Sequence, residues 1–112
     1  MAALAATTVT TVGGLADLAG AAVAATALGD TAPTGPGLFL VVVNGGASAR
    51  TATIATPGTV NGHAIADAAL VVAAGKTGII PLTHLFRGAS DRAAITYDAV
   101  TSVTVAVLKL GA

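Results

Sequence analysis

The amino-acid sequence predicts an all-β domain, an antiparallel β-sandwich or jelly-roll-like fold of short strands with little or no helix. About six to eight segments rich in β-branched and aliphatic residues recur every ~8–12 residues, which is typical of sandwiches and barrels. Turn-forming residues separate them, and strands do not alternate with long helices as a parallel sheet would require. The 112 residues can bury one core but not two, so residues 1–112 are predicted to form a single sandwich domain.

The first thirty residues give the least regular pattern. Residues 7–12 are β-branched throughout and predict a strand. Residues 15–28 are rich in alanine and would favour a helix by propensity, but Gly20, Thr26 and the lack of a charged face favour extended structure. Residues 1–30 are therefore expected to add strand contacts or to act as an N-terminal arm, and residues 31–37 form a loop rich in proline and glycine.

The middle of the chain alternates between strand and turn signals. Residues 38–43 are an apolar run closed by an Asn-Gly-Gly turn, and residues 48–56 alternate with period two, so together they predict a hairpin. Residues 70–73 and 77–80 are predicted strands around a turn at 74–76. Pro81 cannot donate to a ladder and is expected at a strand end or an edge. One helical turn is predicted from Thr83, its cap, to a glycine stop at position 88.

The last two predicted strands carry the clearest face pattern. Residues 91–98 place Ile95 and Tyr97 on one face. Residues 102–110 alternate throughout, so Lys109, which falls on the valine face, must lie beyond the end of the core. The two faces of this strand are Val103, Val105 and Val107 on one side and Thr104, Ala106, Leu108 and Leu110 on the other.

Charge is scarce in this chain. Five basic and five acidic residues give a net charge of zero and make up 9% of the sequence, against about 25% in an ordinary soluble domain. Of the hydrophobic residues 28 are alanine, and only three residues are aromatic. A monomer with so little charge has little protection against association, so much of its surface is expected to contact copies of itself or partners.

The same composition excludes several functions. Five scattered cations do not form the basic face that nucleic-acid binding needs, and without cysteine there is no disulfide or thiolate site. The best candidate for a membrane span, residues 12–29, is interrupted by Asp17 and short of large side chains. A secretory signal would begin with a basic region, whereas the first cation here is Arg50, so an alanine-rich segment within the fold is favoured.

The residue patterns of the sequence do not predict an enzyme or a cofactor. His63 and His84 are the two imidazoles of the chain, and Asp67 lies at a possible ligand spacing from His63. In a loop that spacing fixes no geometry, and ordinary loop histidines are favoured. No serine, including Ser90, lies in a nucleophile elbow. Asp91 and Asp98 are better explained as caps or surface partners than as a glycosidase pair. The Gly-Lys-Thr at residues 75–77 lacks the first glycine of a phosphate loop.

Three segments carry a resemblance to a known family. A strand leads into an Asn-Gly turn at residues 39–45, a strand pair with an Ala-Gly turn ends at Ile-x-Pro within residues 71–82, and Thr-Tyr precedes Val-Thr-Ser-Val-Thr-Val within residues 94–110. The chain, over roughly residues 30–110, resembles small proteins from the structural gene blocks of tailed bacteriophages that infect actinobacteria. The turn at residues 83–86 departs from that group because it lacks a proline-rich run.

The resemblance implies a small β-sandwich decoration (cement) protein on the outer face of a capsid. Its partner would be the major capsid protein, its location the virion after synthesis in the host cytoplasm, and its state a homo-oligomer with a trimer favoured. A tail or head-completion protein is the alternative within the same class. A carbohydrate-binding or adhesion module is a further alternative, although such modules present aromatic platforms that this chain has few residues to build.

The residue pattern also suggests where assembly contacts lie. Because the last strand has apolar residues on both faces, the second face is expected to be buried between subunits together with the Ala-rich N-terminal segment. The arginines near the turn are candidates for rim contacts to the capsid lattice, with solvated loop arginines as the alternative. The candidate interface residues are Thr104, Ala106, Leu108, Leu110, Phe86, Arg87 and Arg92.

Overall fold

The structure of the protein is a computed structural model that describes residues 2–16, 18–88 and 91–110. One helical turn, α1 (Leu18–Ala21), and a 3₁₀ turn at His84–Phe86 accompany the strands. The strands are β1 (Ala2–Ala3), β2 (Ala6–Val9), β3 (Val23–Ala24), β4 (Asp30–Pro33), β5 (Leu38–Asn44), β6 (Arg50–Ile54), β7 (Thr59–Val60), β8 (His63–Ala64), β9 (Ala68–Val72), β10 (Thr77–Pro81), β11 (Arg92–Tyr97) and β12 (Val103–Leu110).

Ten of the strands form two packed sheets, which confirms the predicted all-β sandwich, and β7 and β8 pair separately as a two-stranded hairpin. Sheet A has the strand order β1-β4-β11-β6-β9, and sheet B has the order β10-β5-β12-β2, with β3 also paired to β12. Most neighbours are antiparallel, as predicted. The exceptions are β1 with β4 and β2 with β12, which are parallel because an N-terminal segment is added to strands that are distant in the sequence.

The core lies between the two sheets and follows the predicted alternation. On β12, Val103, Val105 and Val107 all point inward and are buried. On β6 the inward residues are Ala52 and Ile54, which pack with inward residues of β11. These side chains are mostly Val, Ile, Leu and Ala, so the core is aliphatic and closely packed rather than aromatic. Lys109 is exposed beyond the end of the core, as its position on the valine face predicts.

The predicted hairpin of residues 38–43 with 48–56 is wrong. β5 belongs to sheet B and β6 to sheet A, so the connection between them crosses from one sheet to the other. The buried side chain of Asn44 determines this path: its Nδ2 donates to the carbonyl oxygens of Ser48 at 2.8 Å and Val72 at 3.0 Å. Its Oδ1 accepts from the backbone N–H of Gly46 at 3.0 Å. Asn44 therefore joins the ends of strands from both sheets.

An N-terminal strap, defined as residues 2–25, closes one edge of the sandwich. β1 pairs with β4 in sheet A, Leu4 is buried in the core, and β2 pairs with β12 in sheet B. The predicted strand at 7–12 therefore begins slightly earlier and stops at Val9. α1 is a helical turn where extended structure was favoured, which shows alanine propensity acting locally. Asp17 lies outside the described residues.

The loop predicted over residues 31–37 is wrong in its first half, because Asp30–Pro33 form β4 between β1 and β11. Other predicted turns and strand ends are found where positive φ or proline requires them. Asn61 and Gly62 both have positive φ, 52° and 78°, and connect β7 to β8 in a two-residue hairpin. Pro81 ends β10, the edge strand of sheet B, as expected for a residue that cannot donate to a ladder. The 3₁₀ turn confirms the single helical turn, although the Thr83 side chain makes no capping hydrogen bond.

Candidate assembly surface

The described charged side chains lie mainly at strand ends and in turns. Asp67 accepts from the backbone N–H of Thr56 at 2.9 Å, and Asp98 accepts from that of Thr51 at 3.0 Å. These carboxylates satisfy backbone donors at the ends of strands, which leaves the broad strand faces without charge. The low charge of the sequence is therefore concentrated at the rims of the sandwich.

The second face of β12 is buried by the same chain. Ala106 and Leu108 are 4% and 5% exposed, and with Val41 they form a small cluster on the outer face of sheet B. The N-terminal strap covers this cluster with Leu15 and Leu18, which pack against it. The apolar character of this face predicts that Ala106 and Leu108 lie between subunits. The structure instead accounts for their burial within one copy, so their apolar character does not require an intersubunit contact.

The other three apolar or neutral candidates lie in three different environments. Thr104 is half-buried on the same face, opposite Val43. Leu110 is 65% exposed at the end of β12. Phe86 is part of the core, because the 3₁₀ turn directs its ring between the sheets, and it is therefore not available to a partner. Of these three, Leu110 alone presents a large apolar side chain to solvent.

The two candidate arginines differ in what they contact. Arg87 is exposed and lies 3.8 Å from the carboxylate of Asp91, a surface pair that contributes little stability. Arg92 is half-buried: its Nε donates to the Thr31 hydroxyl at 3.1 Å, and its guanidinium donates to the carbonyl oxygens of Thr31 and Leu4. Arg92 therefore fastens the N-terminal strap to sheet A, and its contact with a capsid lattice stays a prediction.

Within residues 2–16, 18–88 and 91–110, the outer face of sheet A is a broad strand face that no other segment covers. In adjacent strands, Thr96 lies opposite Thr53, which in turn lies opposite Ala69, and Thr51 lies opposite Val71. Val71 is 66% exposed. We call this surface the Thr/Ala face; its members are Thr31, Thr51, Thr53, Ala69, Val71, Ala94 and Thr96. None of these members is charged and all are small, and the Arg92 guanidinium lies at the end of the face, bonded to Thr31. Away from that end, burying the face against a partner costs less desolvation energy than burying a charged surface would.

The sandwich is open at the edge opposite the N-terminal strap. β9 ends sheet A and β10 ends sheet B, and the tight turn at residues 73–76 connects them. Gly78 permits their close approach, because a Cβ there would lie 3.0 Å from the Val72 side chain and 3.2 Å from that of Leu70. Ile79 on β10 is 62% exposed beside the covered cluster of sheet B. An apolar edge strand that carries no charged residue, with Pro81 at its end, is therefore available here.

The three aromatic residues do not build an exposed platform. Phe86 is in the core, and Phe39 packs beside the covered cluster of sheet B. The Tyr97 hydroxyl donates a 2.7 Å hydrogen bond to the carboxylate of Asp30, a fully buried residue. Burial, together with this hydrogen bond and the charge of Asp30, raises the pKa of Tyr97 above its ordinary value. Sugar-ring stacking therefore has no exposed aromatic side chain to use here.

The N-terminal strap pairs with β12 at two places, through β2 and through β3. A groove of about 540 Å³ lies between these two strands. It is lined by Leu4, Thr7, Val23, Val105 and neighbouring alanines. Among the described residues that line it none is ionisable, so they supply no acid, base or charged ligand anchor.

The remaining sequence candidates do not come together into a chemical site. His63 and His84 are exposed on β8 and on the 3₁₀ turn, and Ser90 lies outside the described residues. Among residues 2–16, 18–88 and 91–110, no group of three or more His, Asp and Glu side chains is placed to hold a metal ion. The same part of the chain contains no helix long and apolar enough to cross a membrane.

No family model, curated protein or solved structure matches the chain.

The Thr/Ala face was missed by sequence reasoning, although its signal is present. Thr51 and Thr53 alternate with buried Ala52 and Ile54, which identifies them as the outward residues of a strand. Which strands lie beside them depends on long-range pairing, and only the structure brings Thr96 and Val71 to the same surface.

Proposed function

We propose that this chain is a non-enzymatic virion structural protein, a decoration or cement protein that binds the outer face of a tailed-phage capsid and stabilises it. The observation that carries the proposal is the Thr/Ala face, whose members are uncharged and which the described part of the chain leaves uncovered. The family resemblance supplies the chemical identity of the partner, the major capsid protein. Synthesis in the host cytoplasm and residence in the virion follow from that assignment.

The size of the Thr/Ala face explains why such a protein would act as one of many copies. Four strands of about five residues make a surface of roughly 14 by 16 Å. That is a few hundred Å², less than the ~800 Å² that each partner buries in a typical stable interface. Repeated binding on a lattice, by a homo-oligomer for which the resemblance favours a trimer, multiplies a weak single contact into high avidity.

Small uncharged side chains suit this task physically. Threonine and alanine lose little side-chain entropy on burial, and threonine hydroxyls can exchange water for polar groups of the partner. Since no strong charge pairs are involved, binding through this face should depend weakly on salt. A tail or head-completion protein would use the same kind of face. The experiment must therefore distinguish binding to the capsid shell from binding elsewhere in the virion.

Co-sedimentation with capsid shells tests the proposal. The purified chain is mixed with mature and unexpanded shells of the tailed phage that encodes it, and pelleted at capsid size. We expect binding to mature shells, and Val71→Asp should reduce it at least tenfold by burying a carboxylate against the partner. Val12→Asp is the matched control, since Val12 is 89% exposed in a turn away from the Thr/Ala face, and it should bind like the unmodified chain.

The outcomes separate the two structural roles. Failure of the unmodified chain to pellet with either shell would overturn the decoration role and favour the tail or head-completion alternative. Equal loss of binding in the Val71 and Val12 variants would show that the Thr/Ala face is not the contact. Thermal unfolding of both variants checks that the sandwich is intact.

A further inference from the structure

We propose that β10 is a self-pairing edge, through which two copies of this chain join sheet B to sheet B across a two-fold axis. This inference does not depend on capsid binding. It follows from the direction of the backbone groups of β10, from the residues along it and from the register that a two-fold axis imposes.

The backbone groups that face the open edge are identified by the pairing of β10 with β5. The backbone N–H of Asn44 donates to the carbonyl oxygen of Lys76 at 3.0 Å, and the backbone N–H of Leu82 donates to the carbonyl oxygen of Leu38 at 2.9 Å. Residues facing a partner strand alternate in an antiparallel ladder, so the even-numbered residues of β10 bond to β5. The N–H and C=O groups of Thr77 and Ile79, and the C=O of Pro81, therefore point away from the sheet.

These free groups are complementary to themselves in one antiparallel register. If Ile79 lies opposite Ile79 of a second copy, Thr77 lies opposite Pro81 of that copy. The two Ile79 residues then exchange a pair of hydrogen bonds, and each Thr77 N–H donates to the carbonyl oxygen of the facing Pro81. Proline has no N–H to leave unsatisfied, so every outward donor of β10 finds an acceptor.

The side chains of β10 also favour this contact. Ile79 is 62% exposed, and at the axis it would pack against its own copy. The nearest ionisable side chain along the chain is Lys76, which in this register lies opposite Leu82 rather than opposite a second lysine. Natural edge strands are commonly protected by an inward or central charge, and β10 has none. A second copy of β10 thus matches this edge in both its backbone hydrogen-bonding groups and its apolar side chain.

The pairing adds to the assembly rather than replacing a trimer. A two-fold contact joins two single chains or two trimers, whereas the Thr/Ala face lies on the other sheet and remains free. Five residues bury little area, so the contact is weak in dilute solution and is strengthened by high local concentration. A covalent trap is therefore the appropriate test.

Engineered cysteines test the register, since the natural chain has no cysteine. In the Ile79→Cys variant the two Cα atoms would be about 5.5 Å apart, within the ~4.4–6.8 Å range of disulfides. In the matched Thr77→Cys variant on the same strand they would be about 14 Å apart, four residues along the ladder. We expect mild oxidation to give a disulfide-linked dimer as the main product for Ile79→Cys, with at least tenfold less for Thr77→Cys.

Two results would overturn the pairing. One is the absence of a covalent dimer in the folded Ile79→Cys chain, and the other is an equal yield of dimer from both variants, which would indicate random collision. Amide exchange of the unmodified chain gives an independent measurement: the Thr77 and Ile79 amides should exchange more slowly as chain concentration rises. These readouts use no capsid, so their failure is distinct from failure of the proposed decoration role.

Discussion

The Tyr97 hydroxyl donates a 2.7 Å hydrogen bond to the carboxylate of Asp30, and this pair joins β11 to the first residue of β4 inside sheet A. Asp30 also accepts from the backbone N–H of Thr26 at 3.3 Å, just after the N-terminal strap. A buried carboxylate without such donors would be strongly destabilising, so these contacts allow a charge in an aliphatic core. The pair therefore links the backbone that follows the N-terminal strap to β11 in the middle of sheet A.

The raised pKa of Tyr97 predicts a loss of stability in alkali. Below the unfolded-state pKa of about 10 the tyrosine is protonated in both states. Above it the unfolded chain releases the proton while the folded chain retains it, so stability falls as pH rises from about 10 toward the folded-state pKa. Urea unfolding at pH 8 to 11.5 should show this decline.

Tyr97→Phe is the control, since Tyr97 is the single tyrosine of the chain. The variant should be less stable at neutral pH by about 1–3 kcal/mol, because a donor to a buried carboxylate is lost. It should also show a shallower decline above pH 10. An identical alkaline decline in the variant would show that Tyr97 is not its source.

Arg92→Lys should loosen the N-terminal strap without changing the net charge. Lysine cannot reproduce the planar set of donors that bonds Thr31 and the Leu4 carbonyl oxygen at the same time. We expect a stability loss of about 1–2 kcal/mol and faster amide exchange over residues 4–9 than over β12. Arg87→Lys is the matched control and should leave both unchanged, because Arg87 is half-exposed and makes only a long surface ion pair. Equal exchange in the two variants would contradict the fastening role.

The sequence predicted the faces of single strands better than it predicted their neighbours. The valine face of β12 is the core face, as its period of two requires, because burial follows directly from alternation. The other face of β12 was correctly recognised as apolar and in need of a cover. The sequence predicted a second subunit as the cover, whereas the structure covers this face with Leu15 and Leu18 of the same chain. The prediction failed because nothing local to β12 indicates which segment will pack on it.

Long-range hydrogen bonds explain the other differences. The Asn-Gly-Gly turn after β5 has hairpin chemistry, yet the Asn44 side chain bonds Val72, 28 residues away, and the chain crosses between sheets. Arg92 was expected at the surface because its neighbours in sequence form a turn, but its partner Leu4 is 88 residues away. A residue whose role depends on such a contact resembles an ordinary loop residue when only its local sequence is considered.

Leu108→Ala distinguishes a cover within one copy from a cover between copies. Removing this buried side chain should cost about 2–4 kcal/mol through lost burial and a cavity beneath α1. Because the covering residues belong to the same chain, the loss should be independent of protein concentration. Urea unfolding at concentrations spanning a hundredfold measures this. A loss that grows with concentration would instead assign the cover to a second subunit, as mass action requires.

Gly29 and Gly75 provide a matched pair for the backbone requirements of the fold. Both have positive φ, 94° and 72°, so alanine is strained at either position by about 1 kcal/mol. At Gly29 the added Cβ would also lie 2.6 Å from the carbonyl oxygen of Ile95, whereas at Gly75 no atom lies within 4 Å. Since the Ile95 oxygen belongs to a central strand, it cannot move without disturbing sheet A. We therefore expect Gly29→Ala to cost at least about 3 kcal/mol and Gly75→Ala about 1 kcal/mol, as measured by urea unfolding. Similar losses at the two sites would show that β4 and β11 do not hold Gly29 against Ile95 as closely as the structure places them.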